Sequence, residues 1–216
     1  MTTQPVLFHA DDLVLEGVLH APTPQADAPS AGAVVCHPHP LYGGDMHNPV
    51  VVAVCDALAA EGIAALRFNF RGTGGSQGSH GGGLQEREDV RAALGFLASQ
   101  PGVDPQRLCL AGYSFGAVVA LTTAYPSLVA LAAVSPPLSE KAGAGMALTC
   151  PALFLFGDRD TVAPARNVET LGIHLPEGSR VAVLPGADHF WWGHEEEVAA
   201  EVVAFFRQRT RRGAYS

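Results

Sequence analysis

The sequence predicts an α/β fold: a mostly parallel sheet with helices on both faces. Short runs such as AGAVVC (31–36), LCLA (108–111) and PALFLFG (151–157) are apolar at nearly every position, as strands covered on both sides must be. Longer stretches with apolar residues at helical spacing separate them. The two patterns alternate along the chain, which is the signature of strand–helix–strand units. With 216 residues and 48% hydrophobic side chains, the chain is long enough to bury a core. No internal repeat or linker breaks it, so a single domain over 1–216 is expected.

The elements follow in order. VLFHA and LVLEGVLHA, joined at Asp11-Asp12, form an opening antiparallel hairpin. APTPQADAPSAG is a Pro/Ala loop, and AGAVVCH is the next buried strand. A helix from Asn48 to about Glu61 has a clear start, because Asn48 can cap and Pro49 suits the first helical position. IAALRFNF (63–70) is a strand, RGTGGSQGSHGGG a glycine-rich loop, and LQEREDVRAALGFLAS a helix. Then come strand 107–111, helix 115–124, strands LVALAAVS and PALFLFG, a helix near 164–172, strand RVAVLP, and a final amphipathic helix from about Glu195 to Arg209.

Composition excludes several classes of function. A net charge of −8 argues against nucleic acid, which demands a basic surface. The cluster Arg207, Arg209, Arg211 and Arg212 ends the last helix, where cations suit the helix dipole. MTTQPVLFHADD lacks a basic, apolar leader, and no apolar run approaches the ~20 residues that cross a bilayer. A cytoplasmic protein without a membrane partner is expected. Cys36, Cys55, Cys109 and Cys150 are scattered and form no CxxC pair, which reads as four reduced, buried thiols.

In open sheets of this kind, ligands bind at the carboxyl ends of the strands. Three strand ends here carry reactive groups. Ser114 lies between strand LCLA and the following helix, Asp158 and Asp160 follow PALFLFG, and Asp188 and His189 follow RVAVLP. A serine hydroxyl needs a base to take its proton before it can attack. Histidine can accept that proton and return it, and a carboxylate fixes the imidazole tautomer. Gly112-Tyr113-Ser114-Phe115-Gly116 is a G-x-S-x-G turn, which lifts its serine clear of the sheet. It also leaves the Phe115 amide at a helix N-terminus, aimed at a developing oxyanion.

These residues resemble the α/β-hydrolases, specifically the small cap-less group near dienelactone hydrolases and bacterial carboxylesterases. The resemblance runs from about Val14 to Phe206 through HPHPLYGGDMHNPVV (37–51), FNFRGTGGSQG (68–78), GYSFG (112–116), GDRDTVAP (157–164) and GADHFWWGHEEEV (186–198). It implies Ser114 as nucleophile, Asp160 as acid and His189 as base, with no cofactor. Asp158 and Asp188 are then loop-ordering carboxylates, and His194 a surface residue. The family takes a second oxyanion donor from the loop after AVVCH, usually written His-Gly. This chain departs from that pattern, because Pro38 and Pro40 have no N–H to donate. The candidates are His39, Leu41 and Tyr42; Leu41 and Tyr42 are favoured because Gly43-Gly44 permits a tight turn behind them.

Other readings of the same residues are weaker. His37, His39, His47 and Asp45 are metal-ligand types, but the prolines stiffen the segment and no second ligand cluster stands out, so no bound metal is expected. The glycine-rich loop lacks the lysine of a phosphate cradle, since Lys141 is the only lysine in the chain. Arg71 is expected to pin that loop through Glu86, Glu88 or Asp89. The segment PPLSEKAGAGMALTC is too short for a cap. An open, shallow site rimmed by Tyr42, Phe115, Leu138 and Trp191 is therefore expected. These features predict hydrolysis of short-chain carboxylic esters through an acyl-enzyme, with a small-molecule ester as partner. A peptidase, thioesterase or acyltransferase would use the same three residues. The pattern is also compatible with a non-catalytic binding protein of this fold or with a metal-dependent hydrolase. Monomer and homodimer are both open.

Overall fold

The computed structural model describes residues 2–21, 29–139, 145–146 and 148–211. Eight strands form one sheet: β1 (Thr2–Ala10), β2 (Leu13–Ala21), β3 (Ser30–Cys36), β4 (Ala64–Phe68), β5 (Val103–Tyr113), β6 (Leu128–Val134), β7 (Ala152–Gly157) and β8 (Arg180–Leu184). Their spatial order is β1-β2-β4-β3-β5-β6-β7-β8. β1 pairs antiparallel with β2, and β2 antiparallel with β4; every later pairing is parallel. The sheet is thus the mostly parallel one expected, opened by a hairpin.

Side chains alternate across the sheet and divide the core in two. On β5, Leu108 and Leu110 face one cluster while Cys109, Ala111 and Tyr113 face the other; on β7, Phe154 and Phe156 oppose Leu153 and Leu155. The first cluster is closed by α2 (Glu86–Ala98) and α3 (Phe115–Leu121), through Val90, Leu94, Leu97, Ala117 and Leu121. The second is closed by α1 (Pro49–Ala60) and the final helix, Glu195–Thr210, through Val51, Val54, Leu58, Val198, Val202 and Phe206. Each fully buried Leu, Val or Phe contributes roughly 1.5–3 kcal/mol relative to exposure. The four cysteines are buried and unpaired, and burial pushes every thiol above its ordinary range, Cys150 to about 11.

Local signals explain the boundaries. The Asn48 carboxamide oxygen accepts from the Val50 amide at 3.0 Å, and Pro49 follows as the first residue of α1. α3 stops at Leu121 rather than residue 124, because Thr122 and Thr123 bond their hydroxyls back to Val118 and Val119 carbonyls at 2.9 and 2.7 Å, a competition that weakens helices. The helix expected near 164–172 shrinks to Asn167–Thr170, where Gly172 turns the chain left-handed at φ 59°. The Pro/Ala loop and the segment before β7 fall partly outside the described residues, as does Arg212.

β3 lies between β4 and β5. The chain leaves it through α1 on one face and returns past it through α2 on the other. Strand order reverses there, which in open α/β sheets is where ligands bind, outside the carboxyl ends of the strands. His37 and Ser114 occupy the carboxyl ends of β3 and β5.

Candidate active site

Ser114 sits between β5 and α3 at φ 53°, ψ −116°, a conformation that serine rarely adopts. Its amide donates to the Val134 carbonyl at 2.8 Å, so β6 holds the turn. The flanking glycines serve close backbone approach. A Cβ on Gly112 would fall 2.3 Å from the Gly116 carbonyl oxygen, and one on Gly116 would fall 2.4 Å from that of His37. Neither partner is a side chain that can swing aside.

The structure brings Ser114, His189 and Asp160 together from three loops. Ser114 Oγ lies 3.0 Å from His189 Nε2, and His189 Nδ1 lies 2.9 Å from Asp160 Oδ2. All three are buried. A carboxylate only accepts, so the imidazole proton belongs on Nδ1 and Nε2 is left to accept from the serine hydroxyl. Burial is the strongest influence on Asp160 and acts to raise its proton affinity. Bonds from His189, the Ala163 amide and Ser135 outweigh burial and hold the carboxyl below its ordinary range. Asp160 Oδ1 accepts from the Val162 and Ala163 amides at 2.9 and 2.7 Å.

The acid and base loops are fastened to each other. A Cβ on Gly157 would lie 2.2 Å from the Ala187 carbonyl oxygen, and the Arg159 amide donates to that oxygen at 3.0 Å. Asp158 accepts from the Gly186 amide at 2.7 Å and Asp188 from the Phe190 amide at 2.9 Å, so both order their loops. His194 stands at the start of the final helix, 3.2 Å from Glu197. The Tyr113 hydroxyl donates to the His189 carbonyl at 2.6 Å, a contact that no sequence signal announces.

The loop after β3 corrects one expectation. Pro40–Tyr42 forms a single 3₁₀ turn in which the Leu41 amide donates to His39 Nδ1 at 3.2 Å and the Tyr42 amide to the His39 carbonyl at 3.0 Å. Both favoured oxyanion donors, Leu41 and Tyr42, are therefore spent inside the turn. The His39 amide has no acceptor among the described residues. Its orientation is set from the other side of the same peptide: His37 Nδ1 donates to the Pro38 carbonyl at 2.6 Å while His37 Nε2 accepts from the Phe70 amide at 3.1 Å. Burial pushes the His37 imidazole down to about 4, which keeps Nε2 bare. His47 lies near Arg67 (3.2 Å), and Asp45 accepts from the His47 amide at 2.7 Å; the four metal-ligand types are engaged separately.

The rim also departs from expectation. Trp191 is 0% exposed and Leu138 is buried in the core, so neither offers a substrate much surface. Phe190 and Trp192, at 60% and 73%, are exposed in their place. Trp191 adopts φ 60°, and from Ala187 to Trp192 the chain alternates buried and exposed, with His189 and Trp191 inward. Tyr42 is 87% exposed with its ring 4.8 Å from His39, and His39 and His80 rest on Phe115 at 4.7 and 5.3 Å. His80 is placed by Glu86, whose buried carboxylate accepts from the Gly81 and Gly83 amides at 2.6 and 2.7 Å. Of the three carboxylates expected to anchor Arg71, Asp89 does so, at 2.6–3.1 Å.

Comparison with known proteins identifies the family and the fold. The family model described as X-Pro dipeptidyl-peptidase (S15 family) matches residues 14–153. The chain belongs to the S15 family of α/β-hydrolases. An uncharacterized protein of Rickettsia prowazekii is 36% identical over 87% of this chain and 83% of its own. An α/β serine hydrolase homologue from Coxiella burnetii superposes with a TM-score of 0.83 at 33% identity, covering 94% of this chain and 97% of that one. A lidless α/β serine hydrolase from Xanthomonas campestris does so at 0.82 and 27% identity, covering 99% and 97%.

The S15-family match ends at residue 153, before the loops that carry Asp160 and His189. It spans β3 to β6, with the β3 loop and the serine turn. Chemically, the S15 chain presents a hydroxyl bonded to an imidazole and an imidazole held by a carboxylate. No described helix is long and apolar enough to cross a membrane.

Proposed function

We propose that the protein hydrolyses carboxylic esters with short acyl groups through an acyl-enzyme on Ser114. The single observation that carries this reading is the continuous chain from Ser114 Oγ through His189 to Asp160, at 3.0 and 2.9 Å. Ser114 attacks the ester carbonyl while His189 Nε2 takes the hydroxyl proton. The Phe115 and His39 amides hold the resulting oxyanion. His189 then gives its proton to the departing alcohol oxygen. Water, deprotonated by the same nitrogen, attacks the acyl carbon and releases the acid. Asp160 remains ionised throughout and stabilises the imidazolium.

The exposed aromatic side chains and the short β6–β7 segment support the short-chain preference. Tyr42, Phe190 and Trp192 are exposed, and only a short segment joins β6 to β7, so little binding energy is on offer far from the reacting bond. Membership of the S15 family favours a second reading, cleavage of dipeptides from a peptide N-terminus. Such a substrate brings an ammonium group that needs a carboxylate. Glu86, Asp158 and Asp188 already accept backbone amides, which weighs toward the uncharged ester.

Intact mass after incubation with a fluorophosphonate tests the nucleophile. One adduct is expected on wild type and none on Ser114→Ala; equal labelling of both proteins, or of neither, refutes the assignment. p-Nitrophenyl esters of rising acyl length, run beside an X-Pro-p-nitroanilide, test the substrate. Highest kcat/KM on the C2–C4 esters is expected, and preference for long chains or for the anilide overturns the ester reading.

A further inference from the structure

Ser114 and His189 are 75 residues apart along the chain, yet Oγ and Nε2 meet at 3.0 Å. Asp160 holds the imidazole ring through Nδ1, but a bond to the ring does not fix the backbone that carries it. The Tyr113 hydroxyl bonds that backbone directly, donating to the His189 carbonyl at 2.6 Å. Tyr113 is the last residue of β5 and the one before Ser114. One side chain thus joins the strand that delivers the nucleophile to the loop that delivers the base.

The tie is buried and its direction is forced. Tyr113 is 4% exposed, and a carbonyl oxygen only accepts, so the phenol must donate. Burial raises the phenol above its ordinary range, and the charges of Asp160 and Asp188 act the same way. The donor therefore keeps its proton while His189 gains and loses one. Both ends of the tie are anchored. Tyr113 pairs with Val134 in the register of β5 and β6, and its ring packs in one cluster with Ala187 and Trp191, the inward residues on either side of His189. Trp191 and Ser135, at φ 60° and 44°, add an outer tie, in which Trp191 Nε1 donates to Ser135 Oγ at 3.1 Å. That bond reaches the base loop two residues beyond His189, whereas Tyr113 grips His189 itself.

We infer that Tyr113 is a positioning residue for the proposed hydrolysis, its hydroxyl setting the separation between Ser114 Oγ and His189 Nε2. The inference rests on the Ser114–His189–Asp160 reading above. It adds a group that acts only through the backbone of the base. His189 takes a proton from Ser114 in forming the acyl-enzyme and from water in breaking it down. A displaced imidazole slows both steps together, which lowers kcat and leaves KM nearly unchanged. A hydroxyl that served the fold alone would lower stability and leave kcat intact.

The test is steady-state kinetics on the best p-nitrophenyl ester with Tyr113→Phe, which keeps the ring and removes the donor, beside Thr210→Val. The Thr210 hydroxyl donates to the Phe206 carbonyl at 2.9 Å at the end of the last helix, so this second variant controls for the loss of a buried hydroxyl as such. Tyr113→Phe should lower kcat about 5- to 50-fold, with KM within about twofold. Its rate of fluorophosphonate labelling should fall by a similar factor, because that reaction needs the same base. Thr210→Val should leave both rates unchanged. A folded Tyr113→Phe with kcat within twofold of wild type, a loss confined to KM, or an equal loss in Thr210→Val overturns the inference. Failure of Tyr113→Phe to fold, read by thermal unfolding, overturns it as well, since the hydroxyl would then serve the whole fold rather than the base. A wild type that takes no label removes the underlying reading, whereas a labelled wild type with a fully active Tyr113→Phe removes only the positioning role.

Discussion

Acid should loosen this protein through His37, and the effect can be sized. In the fold, His37 Nε2 accepts from the Phe70 amide while Nδ1 donates to the Pro38 carbonyl, so a second proton has nowhere to go without breaking the first bond. Burial lowers the imidazole from its ordinary 6.5 to about 4. Between those values the unfolded chain binds a proton that the folded chain refuses, so stability rises with pH there. It is fully present above 6.5 and lost as pH falls to 4. Each tenfold change in proton affinity is worth about 1.4 kcal/mol, so the descent from 6.5 to about 4 removes roughly 3 kcal/mol.

The assay is urea unfolding followed by circular dichroism at pH 7.5, 6.5, 5.5 and 4.5, on wild type and His37→Gln. The substitution removes the titrating group, and the difference between the two proteins cancels the carboxylates and the remaining histidines. Relative to His37→Gln, wild type should stand highest at pH 7.5 and lose about 2 kcal/mol by pH 4.5. A difference that stays flat across this range refutes the account. Activity should fall over the same window for a second reason. The Pro38 carbonyl that His37 grips belongs to the peptide carrying the His39 N–H, the proposed oxyanion donor.

Two further outcomes follow from contacts elsewhere. Gly116→Ala places a methyl 2.4 Å from the His37 carbonyl oxygen; with backbone on both sides, we expect at least about 3 kcal/mol of destabilisation or failure to fold, read by expression and thermal unfolding, and a well-folded variant refutes this packing. Asp89→Asn leaves the Arg71 guanidinium without its carboxylate in a buried setting and should cost about 3 kcal/mol in urea unfolding, against under 1 kcal/mol if the pair is solvent-screened.

Strand ends made the site legible before any coordinates. Ser114, Asp160 and His189 each follow an apolar run of strand length, and the rule that parallel sheets gather their loops at one edge is enough to suggest that they meet. Sequence failed where backbone torsion, rather than pattern, decides which way a group points. The turn at Pro40–Tyr42 spends the Leu41 and Tyr42 amides on His39, an outcome of local hydrogen bonding that residue types alone do not reveal. Likewise HFWW offers two adjacent tryptophans, and residue type does not say that Trp191 enters the core while Trp192 stays outward. Ser135 had no signal at all, because a serine after a strand is ordinary until its partners are known.

What separates this arrangement from three reactive residues that merely lie near one another is how few ways they have to move apart. The serine turn is pinned to β6 by the Ser114 amide, and Ser135, the next residue on that strand's path, is pinned to β7. The base loop touches β5 through Tyr113, β6 through Trp191 and the acid loop through Ala187. Each of these ties uses a hydrogen bond whose donor and acceptor are shielded from water, where leaving either one unmade is expensive. A transition state that develops charge on an oxyanion and an imidazolium gains most from dipoles already in place, since no reorganisation is then needed during the reaction. The strained torsions at Ser114, Ser135 and Trp191 are the cost of that placement, and they sit where the ties are densest.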